Sequence, residues 1–151
     1  MSVSINDSQN QVATNSSQTF TLAATTAFIV APTLIPFPEV IPGQTNVLGL
    51  QNLTINNTGN ENITLVNITA FDLLGQVNPS YFIPAQNYTV NQTGNICAGT
   101  QLQNNTAVTI PSVTIPKQQY VNLSFCLVEV PSPLFSQNYT SLAQWIVKVL
   151  A

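Results

Sequence analysis

The sequence predicts an all-β protein, an antiparallel β-sandwich of the immunoglobulin-like or jelly-roll-like kind. Apolar and polar residues alternate with a period of two in most segments, which is the spacing of a strand with one buried face. No window shows the 3.6-residue period of an amphipathic helix. The ten prolines fall between or at the edges of the alternating runs, where a missing N–H group removes no ladder hydrogen bond. Many short strands separated by turns are typical of a sandwich.

Two segments, residues 120–128 and 141–150, show the clearest alternation. In residues 120–128 the apolar face comprises Val121, Leu123, Phe125 and Leu127. In residues 141–150 it comprises Ala143, Trp145, Val147 and Val149. Shorter candidate strands are residues 44–51, 87–92, 107–110 and 112–115.

Residues 53–71 predict a β-hairpin. Leu53 and Ile55 alternate with polar residues, residues 57–60 read Asn-Thr-Gly-Asn and supply turn chemistry, and residues 62–71 form the returning strand. Asn62 and Asn67 are five positions apart and would face opposite sides of a regular strand. Either a bulge or the inclusion of Asn62 in the turn would reconcile them.

The chain divides into an N-terminal segment, residues 1–31, and a β-sandwich head, residues 32–151. A cluster of four prolines at positions 32, 36, 38 and 42 indicates an extended connector at the start of the head. Residues 1–19 are polar with weak alternation, and residues 20–30 alternate more strongly. Two alternatives stay open for residues 1–19: a disordered tail, or a strand that pairs outside its own domain.

Asparagine triplets are the most unusual feature of the sequence. Eleven of the 18 asparagines stand two residues before Ser or Thr without an intervening Pro, which is the acceptor pattern for N-linked glycans. With 29 Ser and Thr in 151 residues, chance predicts roughly three or four. The acceptors are Asn6, Asn15, Asn52, Asn56, Asn62, Asn67, Asn87, Asn91, Asn104, Asn122 and Asn138. They indicate a surface that carries covalent N-glycans; the alternative is accidental accumulation in a β protein rich in Asn and Thr.

Charge is scarce. Only 5% of residues are charged, with two lysines against five acids, whereas typical domains have roughly 25%. Two basic residues cannot form a phosphate-neutralising patch, which excludes nucleic acid as a partner. Solubility would come from hydroxyls, amides and glycans, and so few titrating groups predict a protein that is stable in acid.

No catalytic or metal site is visible, and we expect neither an enzyme nor a cofactor. The chain has no His, its five carboxylates are scattered, and it lacks a nucleophile elbow, a phosphate loop and a CxxC motif. Lys117 or Lys148 could form an amide with an Asn, helped by Asp72 or Glu129; the alternative is two solvated lysines.

Cys97 and Cys126 are the only cysteines. An even number of cysteines in an extracellular chain predicts one disulfide, and two unpaired buried thiols are the alternative. No apolar run reaches the 18 or so residues that span a bilayer, so we expect no membrane span. No secretory signal follows Met1, which fits either a mature terminus or export by another route, such as on a virus.

These features together resemble the thread and bundling-pilus subunits of thermoacidophilic archaea, which are related to the TasA-type fibres of bacterial biofilms. The resemblance implies that the N-terminal segment is a donor strand, which fills an incomplete sandwich in the neighbouring subunit. Carried over, it assigns this role to residues 1–12 or 20–30. The donor side chains would be Val3, Ile5, Val12, Phe20 and Leu22.

The expected function is therefore structural. The chain would be a glycosylated subunit of an extracellular filament on the cell surface, a helical head-to-tail polymer of identical subunits that serves adhesion or biofilm formation. The alternative is a β-sandwich capsid or spike protein of an archaeal virus. A monomeric binding module or a piece of a surface layer is a third possibility.

Overall fold

The computed structural model describes residues 3–6, 12–15, 21–93 and 95–151. Over these residues the chain is all-β, with antiparallel ladders between its strands and two short 3₁₀ turns, Ala85–Asn87 and Ile96–Ala98. In chain order, the strands are β1 (Val3–Asn6), β2 (Val12–Asn15), β3 (Phe28–Ala31), β4 (Thr45–Leu48), β5 (Leu53–Asn57), β6 (Leu65–Thr69), β7 (Leu73–Gly75), β8 (Phe82–Ile83), β9 (Tyr88–Asn91), β10 (Thr100–Gln101), β11 (Ala107–Thr109), β12 (Tyr120–Glu129), β13 (Tyr139–Thr140) and β14 (Ile146–Leu150).

The largest sheet is built around β12. Its order is β10-β9-β12-β5-β3. β5 pairs with the first half of β12, and β4 pairs with its second half. The apolar residues predicted for one face of β12, Val121 to Leu127 in steps of two, are all buried, while Asn122 opposite them is exposed. The prediction for residues 120–128 is confirmed.

Three smaller sheets accompany it among the described residues. The second sheet has the order β11-β6-β14, the third has the order β13-β7-β8, and β1 pairs with β2 in a sheet of its own. Fully buried side chains of the first two sheets, such as Ile55 and Leu123 of the first and Val66 and Ile68 of the second, belong to one hydrophobic core. Both sheets therefore bury one face in the same interior.

Aromatic residues contribute to this core. The Trp145 ring, just before β14, packs edge-on against Tyr88 of β9 at a centroid distance of 5.4 Å, and its Nε1 donates to the Phe71 carbonyl at 3.0 Å. Phe37, from the proline-rich connector, packs on the Tyr88 ring at 5.4 Å. The connector residues 33–42 contain no strand, as predicted, and they cover part of the core.

The predicted hairpin of residues 53–71 is wrong. β5 pairs with β12 and β3, whereas β6 pairs with β11 and β14, so residues 58–64 carry the chain from one sheet to another. The turn-forming residues redirect the chain from one sheet to the other. Asn57 is fully buried, and its side chain forms hydrogen bonds with the backbone of the crossing segment. Asn62 precedes β6. Of the two alternatives given above for Asn62, this position agrees with the one that places it before the returning strand and needs no bulge.

The other predicted strands are shorter than expected or absent. β4, β9, β11 and β14 lie within residues 44–51, 87–92, 107–110 and 141–150. Residues 112–115 form no strand, because Ser112 has a φ of +62° and only Ile115 makes a bridge, to Ile63.

Part of the predicted N-terminal segment belongs to the first sheet. β3 pairs with β5 of the same chain. Just before it, the Asn60 amide accepts from the Thr25 N–H at 2.7 Å and donates to the Ala23 carbonyl at 2.9 Å. Residues 23–31 are thus held by their own chain, while β1 and β2 pair with each other.

Candidate functional site

The predicted glycan acceptors lie at the surface wherever their surroundings are described. Asn6 lies in β1 and Asn15 in β2, and their side chains are outside the described residues. None of the other nine is buried. Six are exposed and three are half-buried: Asn52, Asn56, Asn62, Asn104, Asn122 and Asn138 in the first group, and Asn67, Asn87 and Asn91 in the second.

Asparagines outside the acceptor triplets shape the backbone instead. Asn46 and Asn105 have positive φ angles of 57° and 52°, a conformation that Asn tolerates better than most residues. Asn57, Asn60, Asn78 and Asn95 hydrogen-bond nearby main-chain groups through their side chains. Backbone conformation and side-chain bonds to main-chain groups therefore give the other described asparagines a structural role, and they do not by themselves explain the acceptor triplets.

The side-chain amides of the predicted glycan acceptors form hydrogen bonds mainly through their oxygen atom, Oδ1. Within the described residues, only Asn87 donates its Nδ2, the atom to which an N-glycan is joined, to the Glu129 carbonyl at 2.8 Å. Six others accept through Oδ1, and their Nδ2 atoms have no hydrogen-bond partner in the described part of the chain: Asn52, Asn62, Asn67, Asn91, Asn104 and Asn122. Modification at Nδ2 would therefore preserve these six hydrogen bonds.

Four acceptors share the outer face of the first sheet. Asn56, Asn122 and Asn91 come from the adjacent strands β5, β12 and β9, and Asn52 directly precedes β5. In the ladder, Asn56 is opposite Tyr120, and Asn91 is opposite Ser124. This group of four is called the outer acceptor face below.

Two of its triplets are joined to each other. The Thr54 hydroxyl, from the Asn52 triplet, donates to the Asn122 Oδ1 at 2.7 Å. The Ser124 hydroxyl, from the Asn122 triplet, donates to the Asn52 Oδ1 at 2.8 Å. Each triplet thus orients the amide of the other, and neither Nδ2 atom has a partner among the residues that the structure describes.

The remaining acceptors lie on the second sheet and in connections. Asn67 of β6 accepts from the Thr109 hydroxyl at 2.8 Å and is opposite Lys148 of β14. Lys148 and Lys117 are both exposed. Asn62, Asn104 and Asn138 lie between strands, and Asn87 ends a 3₁₀ turn. A fully modified chain would therefore carry glycans on both sheets and in the loops.

The predicted disulfide is confirmed. Cys97 and Cys126 are bonded, with their Cα atoms 5.1 Å apart. The bond holds the turn Ile96–Ala98 against β12, and the Thr89 hydroxyl of β9 donates to the Ile96 carbonyl at 2.9 Å. This turn covers the end of the first sheet that lies beyond the outer acceptor face, where Thr89 and Cys126 are buried.

The described residues contain no cluster of three metal-binding side chains. The Asp72 carboxylate accepts from the Ala85 N–H at 2.8 Å, which is a structural role, and Glu129 is exposed. Burial raises the pKa of Tyr88 well above its ordinary value, because the phenolate would lose its hydration. In the described part of the chain, no helix has the length and apolar character needed to cross a membrane.

The donor-strand residues are only partly described. Val3 and Ile5 lie in β1, Val12 lies in β2, and Leu22 is 73% exposed. Phe20 is outside the described residues. Their assignment as donor side chains stays a prediction.

These observations define an all-β chain with one disulfide, in which none of the nine predicted glycan acceptors with described side chains is buried. No protein-family model, curated protein or solved structure matches the sequence or the fold.

Proposed function

We propose that the chain is a structural subunit of a glycosylated extracellular filament, assembled through donor strands and used in adhesion or biofilm formation. In this proposal the first two sheets form a β-sandwich that a strand from the next subunit completes. The observation that carries it is the separate β1–β2 sheet, whose strands pair with no other strand of the described chain.

An isolated two-stranded sheet is marginally stable in water, because it buries too little apolar surface. Its strands are therefore available to add to another sheet. β1 and β2 have four residues each, which is enough to form a short ladder with a sheet edge.

We propose that the donor strand of the next subunit adds to the sheet edge formed by β14. Among the described strands it pairs only with β6, so one side of its backbone is free. Val147 and Val149, which lie opposite Ile68 and Val66 of β6, are half-buried, whereas Ile68 and Val66 are at most 1% exposed. A strand added beside β14 would satisfy its free N–H and C=O groups and complete the burial of these valines.

The acceptor asparagines and the disulfide support an extracellular location. Disulfides persist in oxidising compartments, and dense glycans would provide the solubility that charge provides in most proteins. A head-to-tail contact between unlike surfaces propagates into an open filament when its rotation does not close a ring.

A pair of substitutions in β1 tests the donor role. Val3 and Ile5 alternate with Ser4, so Ile5→Asp would place a charge on the face that fills the groove. We expect Ile5→Asp to abolish filaments and Ser4→Asp to leave most of them intact, as seen by negative-stain microscopy and sedimentation. Equal filament yields from the two variants would contradict the donor role of β1.

A further inference from the structure

We infer that a glycan on Asn56 is a structural element of the fold, which packs over Tyr120 and Ile29. The inference rests on the glycosylation in the proposed function, and it assigns that glycan a binding surface on its own chain. The ligand is the first sugar of an N-linked glycan, a pyranose with an apolar C–H face.

The sheet register places the three side chains in one row. Asn56 of β5 is opposite Tyr120 of β12 on one side and Ile29 of β3 on the other. The Asn57 N–H donates to the Gln119 carbonyl at 2.9 Å, which makes Asn56 and Tyr120 a pair without hydrogen bonds between them. In such a pair the side chains come closest, with Cβ atoms about 4.5–5.5 Å apart.

Both neighbours of Asn56 are large, apolar and exposed. Tyr120 is 64% exposed and Ile29 is 59% exposed, although they lie on regular strands of the main sheet. Leaving this much apolar surface in water is unfavourable, and covering it is worth free energy in proportion to its area. A sugar on Asn56 would begin within reach of both side chains.

Asn56 also differs from the neighbouring acceptors. Asn52 and Asn122 have their Oδ1 atoms engaged by hydroxyls of the opposite triplet. The Asn56 amide has no hydrogen-bond partner among the described residues, and its two neighbours in the row are an aromatic ring and an aliphatic side chain. Its surroundings fit the apolar face of a sugar better than they fit a bare amide.

The next residue fixes the base of this site. Asn57 is fully buried; its Nδ2 donates to the carbonyls of Glu61 and Ile115 at 2.8 and 3.0 Å, and its Oδ1 accepts from the Gly59 N–H at 3.0 Å. The backbone at Asn56 is therefore held on both sides, by the ladder and by Asn57. A glycan attached there loses less entropy on packing than one on a free loop.

The Tyr120 ring supplies the directional part of the contact. The face of an aromatic ring is electron-rich and attracts positively polarised edges. The axial C–H groups of a pyranose are such an edge, so the sugar is expected to lie flat on the ring. Ile29 would contact the other side of the same sugar by dispersion.

A four-way comparison in the glycosylating host tests the inference. Thr58→Val removes the Asn56 triplet, Thr58→Ser retains it, and Tyr120→Thr removes the ring while keeping a residue that suits a strand. We expect Tyr120→Thr to lower the thermal midpoint by about 2–4 °C more in the Thr58→Ser background than in the Thr58→Val background. Equal shifts in the two backgrounds would overturn the inference.

A second measurement leaves Tyr120 in place, so it does not depend on whether a Tyr120 variant folds. Chemical nitration of Tyr120, read by peptide mass spectrometry, is expected to be several-fold slower in the Thr58→Ser protein than in the Thr58→Val protein. Equal rates would overturn the inference. Asn138→Gln, which removes an exposed acceptor from another sheet region, should change neither measurement.

Glycopeptide mapping separates the two possible failures. Glycans at other acceptors with Asn56 unmodified would overturn this inference and leave the glycosylated filament standing. An absence of glycan from every acceptor would remove the glycosylation part of the proposed function as well.

Discussion

At the scale of single residues, the clearest contrast among the asparagines is between two neighbours in sequence. Asn57 belongs to no acceptor triplet and is fully buried, while Asn56 beside it belongs to one and is exposed. The accessibility of the acceptors was predictable, because Asn with Thr on one face of a strand indicates a solvated face. The burial of Asn57 was not predictable, because its partner Ile115 is 58 positions away in sequence.

Asn57→Ala is expected to destabilise the fold by about 2–4 kcal/mol, because a fully buried side chain loses three hydrogen bonds, to the Glu61 and Ile115 carbonyls and to the Gly59 N–H. The matched control is Asn56→Ala, which removes an exposed amide and should change the free energy of unfolding by less than about 0.5 kcal/mol. Both are to be measured by urea unfolding of protein made without glycans. A small effect of Asn57→Ala would show that the crossing segment does not depend on this side chain.

At the scale of elements, alternation predicted β12 well, but it predicted the lengths of most other strands and the strand pairing poorly. β12 was predictable in position and in face, because apolar, buried residues recur at every second position from Val121 to Leu127. The partners of β5 and β6 were not, because a turn-like tetrapeptide can end a hairpin or redirect the chain between sheets. The row of Ile29, Asn56 and Tyr120 could not be predicted either, because it depends on the register of three paired strands.

The disulfide is the element-scale contact that the sequence did predict, and it closes a loop with a separation of 29 residues. Replacing both cysteines, Cys97→Ala with Cys126→Val, is expected to lower the free energy of unfolding by about 3–4 kcal/mol. Denaturant unfolding of the variant and of the reduced wild type should give the same loss within about 1 kcal/mol.

Hydrogen exchange locates the effect of the disulfide. Amides of the turn Ile96–Ala98 should exchange faster in the cysteine variant, while those of β6, in the second sheet, should respond only through global unfolding. A loss of protection that is uniform from the outset would contradict a local role for the bond.

At the scale of the whole molecule, the scarcity of charge determines how the protein responds to pH. With five acids and two lysines, few groups change charge between about pH 3 and pH 9, so the thermal midpoint should vary little in that range. Burial raises the pKa of Tyr88 above that of an unfolded Tyr, near 10. The stability that depends on neutral Tyr88 is complete below about pH 10 and decreases above it.

Thermal unfolding of the wild type and of Tyr88→Phe across this range tests both statements. The variant should lose less stability than the wild type above about pH 10, because it has no buried phenol to ionise. A steep decrease of the wild-type midpoint between about pH 7 and pH 3 would contradict the expectation of acid stability.

The central claim is that this chain polymerises by exchanging strands, and electron cryo-microscopy of the protein isolated from its native source tests it most directly. We predict thin filaments in which residues from β1 or β2 of one subunit lie beside β14 of the next, with additional density on the acceptor asparagines. Closed capsid-like particles would favour the virion alternative. Monomers in which β1 and β2 complete their own sheet would contradict the claim.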